Sequence, residues 1–157
     1  MNPTPISATK GRVIALAVAA DHAGFALKEE LVLELKKLRY DVTDLGTSST
    51  EPVDYPDFAR RLAEKVSAGA FERGILVCGT GIGMSMAANK VPGIRAALCR
   101  SEFEARAARL HNDANVLCLG QRVTGSGLAL EIAKTFLTTP FEGGRHQRRV
   151  EKLEVSR

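Results

Sequence analysis

A chain of 157 residues, 45% hydrophobic and 25% charged, has room for one domain with a core of its own, and its composition excludes fibrous and disordered classes. The net charge of +4 is unevenly spread: Arg145, Arg148, Arg149, Lys152 and Arg157 crowd residues 145–157 against only Glu151 and Glu154. That tail has no Phe, Tyr or Trp to stack on bases, and no apolar run approaches membrane-spanning length, so neither nucleic acid nor a membrane is expected as a partner.

In chain order, residues 1–11, with Pro3 and Pro5, read as a disordered leader ahead of a single domain over 12–157. Lys10 and Arg12 before the apolar run 13–20 imitate a short signal peptide, although eight apolar residues are few for one. Read as a buried strand, 13–19 is the first of several similar runs. Residues 25–38 form an amphipathic helix with Leu27, Leu31, Leu35 and Leu38 on its inner face and Lys28, Glu29 and Lys36 away from it.

A short strand at 40–44 leads through a polar loop, 46–56, to a helix at 57–68. Strand 74–78 and helix 82–89 follow, then strand 95–99. Helix 101–110 opens on Ser101 as cap, with Glu104 at the capping-box position. Strand 116–120, helix 126–135 and a last helix at 144–153 complete the domain. Runs that are apolar throughout, alternating with helices, make an α/β protein with a doubly wound parallel sheet of about five strands in three layers. Such sheets bind ligands beyond the carboxyl ends of their strands, here after Ala19, Cys78, Cys99 and Gly120.

The third strand runs straight into Cys78-Gly79-Thr80-Gly81-Ile82-Gly83. Alternate glycines let backbone N–H groups gather round an anion, and the following helix adds its positive end. Taken alone, the spacing fits a tight strand-to-helix turn better than a site. Cys78 reverses that balance, because a thiolate is favoured at a helix N-terminus and can act as a base near neutral pH. Thr80 is placed to hydrogen-bond the sulfur.

Asp21-His22-Ala23-Gly24 ends the first strand; Asp21 can accept from a sugar hydroxyl or cap the next helix, and His22 can donate to an anion. His111-Asn112-Asp113, between the fourth helix and fifth strand, reads as a helix C-terminus or as an acid/base imidazole with an amide for substrate. Arg145 and Arg149, four apart, share a helix face that suits phosphate or plain solvent, and Arg122 follows the fifth strand. With no C-x-x-C among Cys78, Cys99 and Cys118 and no H-E-x-x-H among three histidines, no metal and no cofactor is expected. Unpaired cysteines at the ends of apolar runs suit a cytoplasmic core.

Together, Asp21-His22-Ala23-Gly24, Asp54-Tyr55-Pro56, the Cys78–Gly83 run, Ala87-Ala88-Asn89-Lys90, His111-Asn112-Asp113-Ala114-Asn115-Val116 and Gly143-Gly144-Arg145-His146-Gln147-x-Arg149 resemble, in order, the type B ribose-5-phosphate isomerases over roughly residues 13–150. The resemblance implies a Rossmann-like homodimer or homotetramer whose active sites are shared between subunits. It implies Cys78 as the base moving a proton between C1 and C2 of a sugar phosphate, with Thr80 assisting and Gly79, Gly81, Ile82 and Gly83 holding the enediolate. His111 would open the furanose ring, although His146 is a rival for that task. Asp21 and Asn112 would bind sugar oxygens, Tyr55 would line the pocket, and His22, Arg122, Arg145 and Arg149 would grip phosphate or its surroundings.

One departure stands out: Ala19-Ala20 precede Asp21 where the family commonly has a glycine before Asp-His. Two other readings remain open at this level. The substrate can be a six-carbon sugar phosphate, such as allose 6-phosphate or galactose 6-phosphate, or the chain can be a phosphosugar-binding module without catalysis.

Overall fold

The computed structural model describes residues 13–154. The leader expected at 1–11 lies outside the described residues. Among those described, β1 (Ala15–Ala20), α1 (Phe25–Lys37), β2 (Asp41–Asp44), α2 (Tyr55–Ser67), β3 (Arg73–Cys78), α3 (Ile82–Ala88), β4 (Ala96–Leu98), α4 (Glu102–Asn112), β5 (Val116–Gly120), α5 (Ser126–Thr138) and α6 (Arg145–Glu151) follow in order. The strands pair in parallel in the order β2-β1-β3-β5-β4.

Strand parity divides the core in two. Leu16, Val18, Ala20, Ile75, Val77, Leu117 and Leu119 face α1, α4 and α5, with Leu31, Leu35, Ile132 and Phe136 packed on them. Ala17, Ala19, Leu76, Cys78, Val116 and Cys118 face α2 and α3, against Leu62, Val66 and Met84. The result is the expected three-layer, doubly wound, Rossmann-like sheet. Each large aliphatic side chain fully removed from water on either face stabilises the fold by about 1.5–3 kcal/mol.

The winding positions the site. Chain direction along the sheet sets which face each crossover helix covers, because β-α-β connections are right-handed. β1 and β5 send their following helices to one face, whereas β3, between them, sends α3 to the other. The loop after β3 therefore parts from both neighbours and opens a crevice on each side.

Element ends shift by a few residues. α2 begins at Tyr55 rather than 57, since Pro56 sits in the first turn, where no N–H is required. α4 runs on to Asn112, so His111 is helical, and α5 reaches Thr138. Lys28 overturns its expected outward placement. Its side chain is 1% exposed, with Nζ 2.6 Å from Glu29, 2.7 Å from Asp44 and 5.2 Å from the Phe25 ring centroid. Its long stem fills space beside β2 while two carboxylates hold the charge.

Candidate active site

Cys78 ends β3 facing the layer in which α3 begins. Gly81 is the N-cap of α3 at φ 79°, and its N–H donates to Cys78 Sγ at 3.0 Å. A β-carbon on Gly81 would lie 2.5 Å from Leu98 Cδ1 and 3.0 Å from the Leu119 backbone, so this turn needs glycine. Thr80, expected beside the sulfur, turns outward; its Oγ1 accepts from the Ile82 N–H at 3.3 Å, and the main chain serves the sulfur instead.

Cys78 keeps 5% exposure, Cys99 2% and Cys118 none. Burial, with a smaller push from Glu104, raises the Cys99 thiol to about 12, and burial raises Cys118 as well. Neither can supply a thiolate near neutral pH.

Both flanks of the loop carry polar groups. On the β5 side, Arg122 N–H donates to Gly79 O at 3.0 Å, and its guanidinium lies over Gly79, 3.1 Å from where a β-carbon would stand. Gln121 N–H donates to Cys78 O at 2.9 Å, while Gln121 Oε1 accepts from Leu27 N–H at 2.9 Å, tying β3, β5 and α1 together. On the β1 side, buried Asp21 donates its N–H to Val77 O at 3.2 Å and accepts from Ala23 and Gly24 at 2.9 and 3.0 Å through Oδ1. His22 Nδ1 accepts from Val53 N–H at 3.1 Å, which makes Nε2 the donor of the neutral ring. Two residues on, the Tyr55 ring presses on Gly83, where a β-carbon would sit 2.7 Å from it. Asp21, His22, Tyr55, the Cys78–Gly83 loop and Arg122 thus share one edge of the sheet.

The remaining expected residues occupy the opposite edge. Asn115 O accepts from Gly74 N–H at 3.0 Å, which pins the end of α4 near the start of β3, about 13 Å of strand from Cys78. His111 and Asn112 lie in that last helical turn and are exposed. The His111 ring stacks on His146, with centroids 4.5 Å apart and planes 21° apart, and its Nε2 is 3.9 Å from Glu142 Oε2. His146 is buried, and its Nε2 finds no hydrogen-bond partner among the described residues. Burial, then His111 and Arg145, push its ring below the usual imidazole range. Arg145 and Arg149 stand exposed on α6.

Residues 16–153 match the Ribose/Galactose Isomerase family. The chain belongs to that family. The ribose-5-phosphate isomerase B of Escherichia coli (strain K12) is 48% identical over 138 residues, covering 88% of this chain and 93% of that one. The solved structure of ribose-5-phosphate isomerase B from Clostridium thermocellum is 54% identical with a TM-score of 0.87, over 88% of this chain and 93% of its own. The Mycoplasma genitalium enzyme with bound ribulose-5-phosphate is 46% identical, with a TM-score of 0.85, over 88% and 92%. The resemblance to the type B isomerases therefore holds, and with it the class of enzyme, an aldose–ketose isomerase.

Two residues of this isomerase carried no signal in the sequence. Glu142 belongs to no spaced motif, and it meets His111 and His146 only because α6 folds back on α4. Arg109 reads as an ordinary polar helix position, yet it is 2% exposed and donates to Asp113 at 2.9 Å, Ala114 O at 2.6 Å and Thr139 O at 3.1 Å. It anchors the turn that carries His111.

Proposed function

We propose that this chain interconverts ribose 5-phosphate and ribulose 5-phosphate through an enediolate, with Cys78 as the base. The observation that carries the reading is a thiol at the mouth of a parallel sheet, hydrogen-bonded by the Gly81 N–H and followed by a glycine loop opening a helix. The Cys78 thiolate takes the C2 proton of the open-chain aldose and the electron pair moves onto the C1 oxygen. The O2 proton then passes to O1, and as the O2 electron pair forms the C2 carbonyl the thiol returns its proton to C1. Thr80, whose hydroxyl faces out of the loop rather than toward the sulfur, assists on the substrate side. N–H groups of the Gly79–Gly83 loop other than that of Gly81, which serves the sulfur, hold the developing oxyanion, each such donor being worth about 3–4 kcal/mol. Asp21 and Asn112 bind sugar oxygens, Tyr55 lines the pocket, and His22, Arg122, Arg145 and Arg149 hold the phosphate, supplying orientation without themselves changing.

His111 opens the furanose ring, and it does so across a subunit boundary. Cys78 and His111 lie at opposite edges of one sheet, so a site holding both needs two copies of the chain. A homodimer, or a homotetramer built from two dimers, provides this. The relative that holds ribulose-5-phosphate supports the five-carbon substrate. Three unpaired cysteines support a cytoplasmic setting.

Mixing Cys78→Ala with His111→Ala tests base and sharing together. With ribose 5-phosphate as substrate, each variant alone should be nearly inactive, whereas re-equilibrated mixtures should regain about a quarter of wild-type turnover, because half the dimers are mixed and each has one intact site of two. No recovery would place both groups in one chain's site; full activity of Cys78→Ala would remove the base. A higher kcat/KM for allose 6-phosphate than for ribose 5-phosphate would move the substrate to six carbons.

A further inference from the structure

His111, Glu142 and His146 each offer a ligand atom, and the three atoms lie within 4.8 Å of one another. Two imidazoles and a carboxylate are a donor set for borderline divalent ions of the first transition row. His146 is the fixed member: it is 6% exposed, and its Nε2 is buried with no hydrogen-bond partner among the described residues. A buried polar nitrogen left without a partner costs free energy, which another electron-pair acceptor at that ring would help to offset. His111 and Glu142 are the movable members, with side chains 45% and 52% exposed.

We propose that these three side chains form a binding site for a divalent transition-metal ion, with Zn²⁺ as its type. Metal–nitrogen bonds of about 2.0–2.1 Å in a tetrahedron bring ligand atoms to about 3.3 Å from one another. The ligand atoms now lie within 4.8 Å of one another, and the exposed His111 and Glu142 side chains are the ones that close the difference. The His111 ring must turn out of its stack on His146, because two nearly parallel rings direct their in-plane lone pairs side by side rather than at one point. Water fills the remaining position.

The site borrows a group that the reaction needs. On the reading that His111 opens the sugar ring, an ion bound here takes the imidazole lone pair out of use, and the ion acts as an inhibitor. It involves neither Cys78 nor the glycine loop, which lie at the other edge of the same chain.

The test titrates the whole wild-type protein and Glu142→Gln with Zn²⁺ in competition with a chromophoric chelator, with Co²⁺ as a spectroscopic probe. Support is one ion per chain, a tetrahedral Co²⁺ spectrum without a thiolate charge-transfer band, and affinity at least about tenfold weaker in Glu142→Gln, the least that loss of even a supporting group costs. Unchanged affinity in Glu142→Gln, or a thiolate band marking Cys78 as ligand, overturns the site. Because Glu142 is exposed, this variant is expected to fold; His146→Gln, which removes the buried ligand, must show the same loss. Turnover is read alongside, as the ratio of rates with and without Zn²⁺, and the inhibitory concentration should rise at least about tenfold in Glu142→Gln. Binding with the expected spectrum but no inhibition at saturation keeps the metal site and removes His111 from ring opening.

Discussion

The two edges of the sheet are built from different materials. At the carboxyl edge the proposed mechanism relies on backbone N–H donors beside the Cys78 thiol, and their places follow from strand register and from glycines that nothing bulkier can replace. A β-carbon on Gly120 would lie 2.6 Å from the Thr80 backbone, and one on Gly81 would meet Leu98 and Leu119. At the amino edge the proposed groups are side chains, and His111, Glu142, Arg145 and Arg149 are all exposed. Each long side chain ordered there on a ligand gives up as much as about 2 kcal/mol of rotamer freedom. On the proposed mechanism, preorganisation stands where the enediolate charge develops, and adaptability where the phosphate is held and the sugar ring is opened. Among the described residues, Arg109 and His146 are buried at the second edge.

The largest effect should come from the rigid edge. Cys78→Ala is expected to lower kcat by about 10²–10⁴-fold, the usual range for a general base, with little change in thermal unfolding. His111→Ala should act differently. Ribulose 5-phosphate cannot close to a furanose, since its O5 is esterified, so a group that opens rings is not needed in the ketose-to-aldose direction. The His111→Ala loss in kcat, at saturating substrate, should therefore be at least about tenfold smaller with ribulose 5-phosphate than with ribose 5-phosphate, within the range expected of acid–base catalysis. Equal losses in both directions would give His111 some other task.

Gly120→Ala comes next. It has no proposed contact with substrate, but its methyl must push the Thr80 backbone and with it the loop proposed to hold the oxyanion. A fall in kcat of about 10²-fold is expected from misaligned donors, with about 1–3 kcal/mol of lost stability from overpacking. Stability lost with kcat intact would show that the loop yields without cost to the donors.

The same contrast explains what could be read from the chain beforehand. Runs such as Leu16–Ala20 and Ile75–Cys78 are local signals, and both the sheet and the loop at its mouth follow from them. Glycines 79, 81 and 83 advertise a backbone site because glycine spacing is itself local. The partner of the sulfur was not legible, since whether Thr80 or the Gly81 N–H reaches it depends on the φ of one residue. The separation of Cys78 from His111 is implicit in the pattern, since His111 lies before a strand and Cys78 at the end of one. Lys28 looked like surface because its charge was visible and Asp44, sixteen residues away, was not recognisable as its partner.

Smaller effects distinguish the three thiols. Iodoacetamide at pH 8 should modify Cys78 first, and substrate should protect it; mass spectrometry showing Cys99 or Cys118 labelled first in folded protein would contradict the crevice. Cys99 also predicts an alkaline limit. Its folded pKa of about 12 lies above the ordinary 9.0, so the folded state holds that proton more tightly. The associated stability is complete below pH 9 and is lost as pH climbs from there through 12. Buried Tyr40 is raised as well and acts in the same direction. Tm should therefore fall above pH 9, and more shallowly in Cys99→Ala.

The smallest effect tests how independently the amino edge is held. Ser101 Oγ accepts from Glu104 N–H at 3.1 Å at the start of α4, and the Glu104 carboxylate reaches back to the Arg100 N–H. Ser101→Ala should cost about 1 kcal/mol, or about 2–4 °C in Tm. His111 rides the far end of the same helix, but Arg109 fixes that end through Asp113, Ala114 and Thr139. Loosening the first turn should then leave kcat within about twofold of wild type, since fraying is confined to the end that loses its cap. A tenfold loss of turnover for so small a change in Tm would mean that the placement of His111 depends on the whole helix, and the amino edge would be less adaptable than its exposed side chains suggest.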